Sequence, residues 1–419
     1  MIQITQDLLS RADCSALDEK DPLAGCKSRF ALPDGEVYLD GNSLGALPKA
    51  VVERMQRAIV NEWGSGLIRS WNDAGWYPAP QRTGAKIARL IGADSDEVIV
   101  CDSTSVNLFK VLVAASRLRP DRTVLLVERG NFPTDVYVAS ETGNLLGLEV
   151  LAVEPDEIIP TITELGERLA IVQLTEVNYK SGRIYDMTRI TAEAHNVGAL
   201  AIWDLCHSSG ALPVRLNACE VDFAVGCGYK YLNGGPGAPA YVFVARRHLS
   251  DVRNPISGWH GHARPFEFTH EFEPHGGIDR MLIGTAPQLS LLALEEAVGV
   301  FDDVDMEVVR TKSRALGDLF IRLVDQELAE FGFGLASPRN SAERGSQVSL
   351  VHSEGYAIMQ ALIDAGVIGD FRAPDIMRFG FAALYIGYED IWESVARLKT
   401  IMQGRVWDDP RHKARKAVT

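Results

Sequence analysis

Lys230 and Asp204 offer the most direct chemistry in this sequence. Asp204 closes the apolar run 200–203, and His207 follows one short turn later. Lys230 follows a second apolar run, 221–225, through Gly226, Gly228 and Tyr229, and leads into a Gly-Gly-Pro-Gly turn. Ligands of an open parallel sheet sit beyond the carboxyl ends of its strands, so both side chains belong at one rim. An amine there can form a Schiff base with an aldehyde while a carboxylate keeps a ring nitrogen protonated, the lysine and aspartate arrangement that serves pyridoxal phosphate (PLP). Each residue also has an ordinary reading, Lys230 as a solvated loop lysine and Asp204 as a turn or helix cap. The flanking glycines leave room for a ligand to approach the backbone.

Other stretches add to this rim. In CDSTSVNLFKVL a strand ends in Asp, Ser and Thr residues that open a helix, which is either a plain N-cap or a phosphate site made of free backbone amides. In NFPTD, Phe132 can cover a face of a pyridine ring and Asp135 can reinforce the field at its nitrogen, or the same residues can form a hydrophobic staple and a cap. Arg378 lies between Met377 and Phe379 on an expected strand, where a guanidinium needs a specific partner for its planar fork. His260 and His262 lack a third ligand at characteristic spacing, so no metal site is expected. GCGYKY lacks the third glycine of a dinucleotide fingerprint, and no GxxxxGK[ST] loop is present.

The segment WDLCHSSGALPVRLNACEVDFAVGCGYKYLNGGPG, with YLDGNSLG near the start and NFPTD between them, resembles the kynureninases, fold-type I PLP hydrolases related to class V aminotransferases and cysteine desulfurases. The resemblance runs from Asp21 to about Met402. It implies a homodimer with shared active sites that cleaves L-kynurenine to anthranilate and L-alanine. It implies Lys230 as the PLP lysine, and Asp204 and Tyr229 beside it as catalytic residues. Thr104, Ser105, Phe132, Asp135, Thr175, His207, Trp259 and Thr285 match cofactor contacts, with Tyr229 and Trp259 on the phosphate and His207 toward the ring hydroxyl or the phosphate. Arg378 matches the residue for the substrate α-carboxylate. Trp71, Gly284 and Thr285 fall near the substrate's aromatic end, the last two offered by the partner subunit. Trp71 and Gly284 bring no side-chain polar pair, so L-kynurenine is expected to be preferred over its 3-hydroxy relative. The alternatives are another class V enzyme, such as a desulfurase or aminotransferase, or a PLP-binding protein without turnover. No cysteine follows Cys227, which counts against a desulfurase with a reactive cysteine on a small-domain loop.

These residues must be positioned by a chain of 419 residues with 46% apolar and 23% charged side chains, enough for two domains with cores of their own. A net charge of −14 disfavours nucleic acid, which basic patches bind. The start of the chain does not read as a secretory signal, no apolar stretch is long enough for a bilayer, and six scattered cysteines suit a cytoplasmic protein. Strands are expected at 97–101, 123–127, 148–153, 170–174, 199–203 and 223–226 with helices between most of them, which predicts an α/β domain with a mainly parallel sheet flanked by helices. With the resemblance, this is the fold-type I PLP-dependent transferase fold. Helices at 287–300, 304–330, 355–365 and 388–403 and strands at 347–352 and 377–381 predict a smaller α+β domain. The expected division is 1–45 as a segment joining the small domain, 46–300 as the large PLP-binding domain and 301–419 as the small domain. Residues 64–80 are expected to be a loop, and 409–419 a frayed polar tail.

Overall fold

The computed structural model describes residues 10–416. The described residues divide into two compact units, one of residues 49–179 and 184–302, the other of 10–48, 180–183 and 303–416. Residues 180–183 thus cluster with the smaller unit, an excursion that no shift in composition marks.

The larger unit is built on seven strands: β1 Val98–Val100, β2 Val124–Glu128, β3 Glu149–Val153, β4 Leu169–Thr175, β5 Leu200–Asp204, β6 Phe223–Cys227 and β7 Ala240–Val244. Their order across the sheet is β1-β7-β6-β5-β4-β2-β3. All pairings are parallel except those of β7, which runs antiparallel to both β1 and β6. Every residue of β4, β5 and β6 is buried, as expected of parallel strands covered on both faces. The register places Thr175 beside Asp204 and Asp204 beside Val225, so the chemistry-bearing ends of β4, β5 and β6 are neighbours. Helix α1 (Thr104–Arg117) follows β1 and packs its buried Leu108, Val111, Leu112 and Ala115 into the core formed with Ile202, Phe223, Val225 and Val242. Helix α2 (Pro133–Leu146) follows β2, with Pro133 at its first position, where the missing N–H costs nothing.

Residues 64–80 differ from the expected loop. They continue helix Lys49–Arg57 through a wide-turn segment, Ala58–Gly66, then a 3₁₀ turn, Leu67–Arg69, and a short helix, Ser70–Asp73. Side-chain bonds hold the path: Ser70 Oγ donates to Glu62 O at 2.7 Å, and the Trp76 indole N–H donates to Glu62 Oε2 at 2.8 Å.

In the smaller unit the sheet order is β10-β11-β9-β8, with β8 Gly334–Leu335, β9 Gln347–Val351, β10 Asp370–Arg372 and β11 Ile376–Gly380, all antiparallel. The stretch after residue 408 is not frayed up to residue 416. His412 is buried, with Nε2 3.0 Å from Asp364 Oδ2 and Nδ1 3.0 Å from Val406 O, and the Arg415 guanidinium stacks 4.3 Å above the Tyr356 ring. A polar tail docks here because its contacts are hydrogen bonds and a cation over a ring, which leave no apolar periodicity to read.

Candidate active site

At the carboxyl ends of β4, β5 and β6 a cavity of about 170 Å³ is lined by Thr104, Ser105, Phe132, Asp135, Thr175, Asp204, His207, Tyr229 and Lys230, with Asn131, Thr134, Tyr179 and Cys206. Nine of the expected site residues therefore converge. Lys230 reaches it because the chain leaves β6 through Gly228, where a Cβ would lie 2.5 Å from Pro239 O, so only glycine allows this approach. The Lys230 Nζ lies 3.0 Å from His207 Nε2 and 5.9 Å from the ring centroids of Phe132 and Tyr229. His207 thus meets the lysine amine itself, a contact the sequence reading did not include.

Two buried carboxyl groups, Asp135 and Asp204, line the same cavity. Asp204 is fixed by the Cys206 N–H, which donates to Oδ1 at 2.7 Å. The Asp135 Oδ2 accepts from Asn131 Nδ2 and Gln173 Nε2, each at 3.2 Å. Burial first, and then the neighbouring Asp204 carboxylate with which it shares a hydrogen bond, pushes Asp135 well above the usual carboxylate range. The neighbouring carboxylate thus adds to burial in disfavouring charge on Asp135.

Helix α1 opens at the other end of the cavity. Ser103 Oγ takes the Val106 N–H at 3.4 Å and Ser103 O takes that of Asn107 at 2.9 Å, which leaves the N–H groups of Thr104 and Ser105 to serve an anion. Burial, reinforced by Cys227 and Cys206, raises the Tyr229 phenol, so it stays a donor. Phe132 meets Tyr179 edge to face at 5.2 Å. The Thr175 hydroxyl donates to Val177 O at 3.1 Å and so acts on the backbone of the rim.

PLP fits this donor set. The amine can take its aldehyde, the Asp204 carboxylate its pyridine nitrogen, Phe132 a ring face, and the Thr104–Ser105 turn with Tyr229 its phosphate.

A family model described as the kynureninase C-terminal domain matches residues 309–398. The kynureninase of Pseudomonas fluorescens is 49% identical over 98% of this chain and 100% of its own length, and that of Burkholderia mallei (strain SAVP1) is 47% identical over the same shares. The chain belongs to the kynureninase family. Among solved structures, the cysteine desulfurase of Thermococcus onnurineus NA1 matches with a TM-score of 0.77 at 16% identity, covering 91% of this chain and 98% of that one. The cysteine desulfurase CsdA of Escherichia coli matches with a TM-score of 0.73 at 19% identity, over 91% and 98%. At such identities these neighbours share the fold-type I architecture alone.

The chain keeps five expected residues outside this cavity. Trp259 stacks on His260 with centroids 4.7 Å apart, and Trp71 meets Trp76 edge to face at 6.2 Å. Gly284 and Thr285 are exposed, and the His260 N–H donates to Ile283 O at 3.2 Å, which ties their loop to that of Trp259. Arg378 lies in the smaller unit, 2% exposed, where Asp370 takes its fork. Among the described residues no group of three or more His, Cys, Asp or Glu side chains could hold a metal ion, and no helix is long and apolar enough to cross a membrane.

Sequence reasoning did not single out Asn131, Thr134, Tyr179 or Cys206. Asn131 and Thr134 flank Phe132 and Asp135 in NFPTD, and Tyr179 follows the end of β4, so position after a strand was the available signal. Cys206 touches Thr104, Sγ to Oγ1 at 3.7 Å. A hydrogen bond with Cys227 first, and burial second, raises its thiol well above the usual range.

Proposed function

We propose that this chain is a cytoplasmic, homodimeric kynureninase that binds PLP and, with water, cleaves the Cβ–Cγ bond of L-kynurenine to anthranilate and L-alanine. The observation that carries the reading is the Lys230 amine, hydrogen-bonded to His207 and sharing one cavity with the carboxyl groups of Asp135 and Asp204. When bound, PLP supplies an electron sink for the carbanion that forms at the substrate Cα.

The chain's own residues do the rest. Lys230 Nζ would hold the cofactor aldehyde and, as a free amine, would take the Cα proton. His207 orients that amine from 3.0 Å. Asp204 holds the pyridine nitrogen protonated and Asp135 fixes Asp204. The Thr104 and Ser105 amides, with Tyr229, would hold the phosphate, Thr175 shapes the rim, and Arg378 would receive the substrate carboxylate.

Trp71, with Gly284 and Thr285 of the partner subunit, forms the seat for the aromatic end. Exposure of Gly284 and Thr285 on their own chain supports a shared site. So does the exposed apolar run Ile59, Val60, Trp63, Leu67 and Ile68, an unusual concentration for a free surface. All six cysteines are unpaired, as suits a reducing compartment.

Desulfurase chemistry needs a reactive thiol. The two cysteines of the smaller unit, Cys14 and Cys26, are buried, and burial pushes the Cys14 thiol up to about 11. The purified protein should show a band at about 420 nm from lysine-bound pyridoxal. Lys230→Ala should lose both the band and anthranilate release, read by fluorescence. The 3-hydroxy substrate brings a hydroxyl without a side-chain partner, so its kcat/KM should be about tenfold lower. Sulfide release from cysteine without anthranilate from kynurenine would overturn the reading.

A further inference from the structure

Lys110 is fully buried on α1, and nothing in the proposed reaction uses it. A buried ammonium is costly unless it is paired and hydrogen-bonded. Its Nζ meets Asp102 Oδ2 at 2.8 Å, Asn107 Oδ1 at 2.9 Å and Cys101 Sγ at 3.4 Å. All three partners belong to the strand tip and first turn that present Thr104 and Ser105 to the cavity. Asn107 Nδ2 also donates to Cys101 O at 2.7 Å, closing the network on the same turn.

Asp102 is held at φ 50°, the left-handed region that non-glycine residues seldom enter. Its own carbonyl accepts the Ala240 N–H at 2.9 Å, so backbone and side chain are pinned from two sides. The Asp102 carboxylate, partly exposed, stands two residues before Thr104, where an unpaired negative charge would oppose a phosphate dianion.

We propose that Lys110 is a positioning residue of the phosphate turn. It holds Asp102 in the left-handed conformation that turns the chain from β1 into α1, and it neutralises the carboxylate beside the phosphate. The proposal rests on the reading that the Thr104–Ser105 amides hold the PLP phosphate, and the test separates the two.

Apoprotein is titrated with PLP and with phosphate-free pyridoxal, following absorbance of the lysine-bound form. Lys110→Met, similar in length and uncharged, should lower affinity for PLP by about tenfold or more, the factor one charge-assisted contact is worth, while pyridoxal stays within about threefold. Lys110→Met with Asp102→Asn removes both charges and keeps a residue tolerant of the left-handed region, so PLP affinity should return to within about threefold of the parent. Equal losses for both ligands, or none, would show a structural role only and overturn the proposal. If Lys110→Met alone does not fold, the double variant decides: a loss confined to PLP counts against neutralisation of Asp102. Ser105→Pro removes one amide at a position where a helix tolerates proline. If it leaves PLP affinity unchanged, the phosphate does not sit on this turn, and the underlying reading falls whatever Lys110 does.

Discussion

Arg378 and Asp370 face each other across β11 and β10 and are joined fork to fork, Nε donating to Oδ1 at 2.6 Å and Nη2 to Oδ2. The Ser43 hydroxyl, from the YLDGNSLG stretch, accepts from the same Nη2 at 3.0 Å. Burial works against the Asp370 charge, but the Arg378 hydrogen bond and charge hold its carboxyl below the usual range. The residue assigned to the substrate carboxylate is thus oriented by a carboxylate of the protein.

That arrangement predicts two separable effects. Arg378→Lys keeps the charge and loses the planar grip, so the apparent affinity for kynurenine should fall about tenfold or more while PLP remains bound. Asp370→Asn leaves a buried guanidinium without its counter-charge and should lower stability by roughly 3 kcal/mol in urea unfolding. Parent-like kinetics in Arg378→Lys would remove the residue from the substrate role.

Asp40 stands beside this pair. Burial first, and the Asp370 charge second, push it up to about 8. In the unfolded chain it loses its proton near pH ~4. Between these values the fold holds a proton that the unfolded chain does not, so this stabilisation is complete at low pH and is lost as pH rises through about 8. Asp40→Asn stays neutral throughout. Its stability margin over the parent should therefore grow between pH ~4 and ~8, by at most about 1.4 kcal/mol per pH unit, and level off above. Urea unfolding at several pH values checks this, and a margin independent of pH would refute it.

The sheet of the larger unit was legible in the sequence because β4, β5 and β6 are continuous apolar runs ending in Thr175, Asp204 and the approach to Lys230. Helix Tyr388–Gln403 was legible to the residue. Strand β7 was not expected, since strand-helix alternation gives no cue for an antiparallel strand that follows a Gly-Pro-Gly turn. Geometry between distant residues was also out of reach. Nothing local says that His207 lies against Lys230, that Asp135 neighbours Asp204, or that Lys110 reaches back to Asp102. Of Arg378, the sequence showed the need for a partner but not that Asp370 fills it.

The Asp135–Asp204 pair predicts an asymmetry between two carboxyl groups that look alike in sequence. Burial and the neighbouring Asp204 favour the protonated form of Asp135, so Asp135→Asn replaces one neutral donor by another. Asp204→Asn removes the negative charge that would hold the pyridine nitrogen protonated, in a charged hydrogen bond worth roughly 1.5 to 3 kcal/mol. Cofactor affinity should therefore drop by about tenfold or more in Asp204→Asn and by no more than about threefold in Asp135→Asn. Removal of the substrate Cα proton, followed by deuterium exchange into the recovered kynurenine, should slow in the same order. Equal losses in the two variants would mean that both carboxyl groups are ionised around the ring nitrogen, and the division of roles drawn from their burial would be wrong.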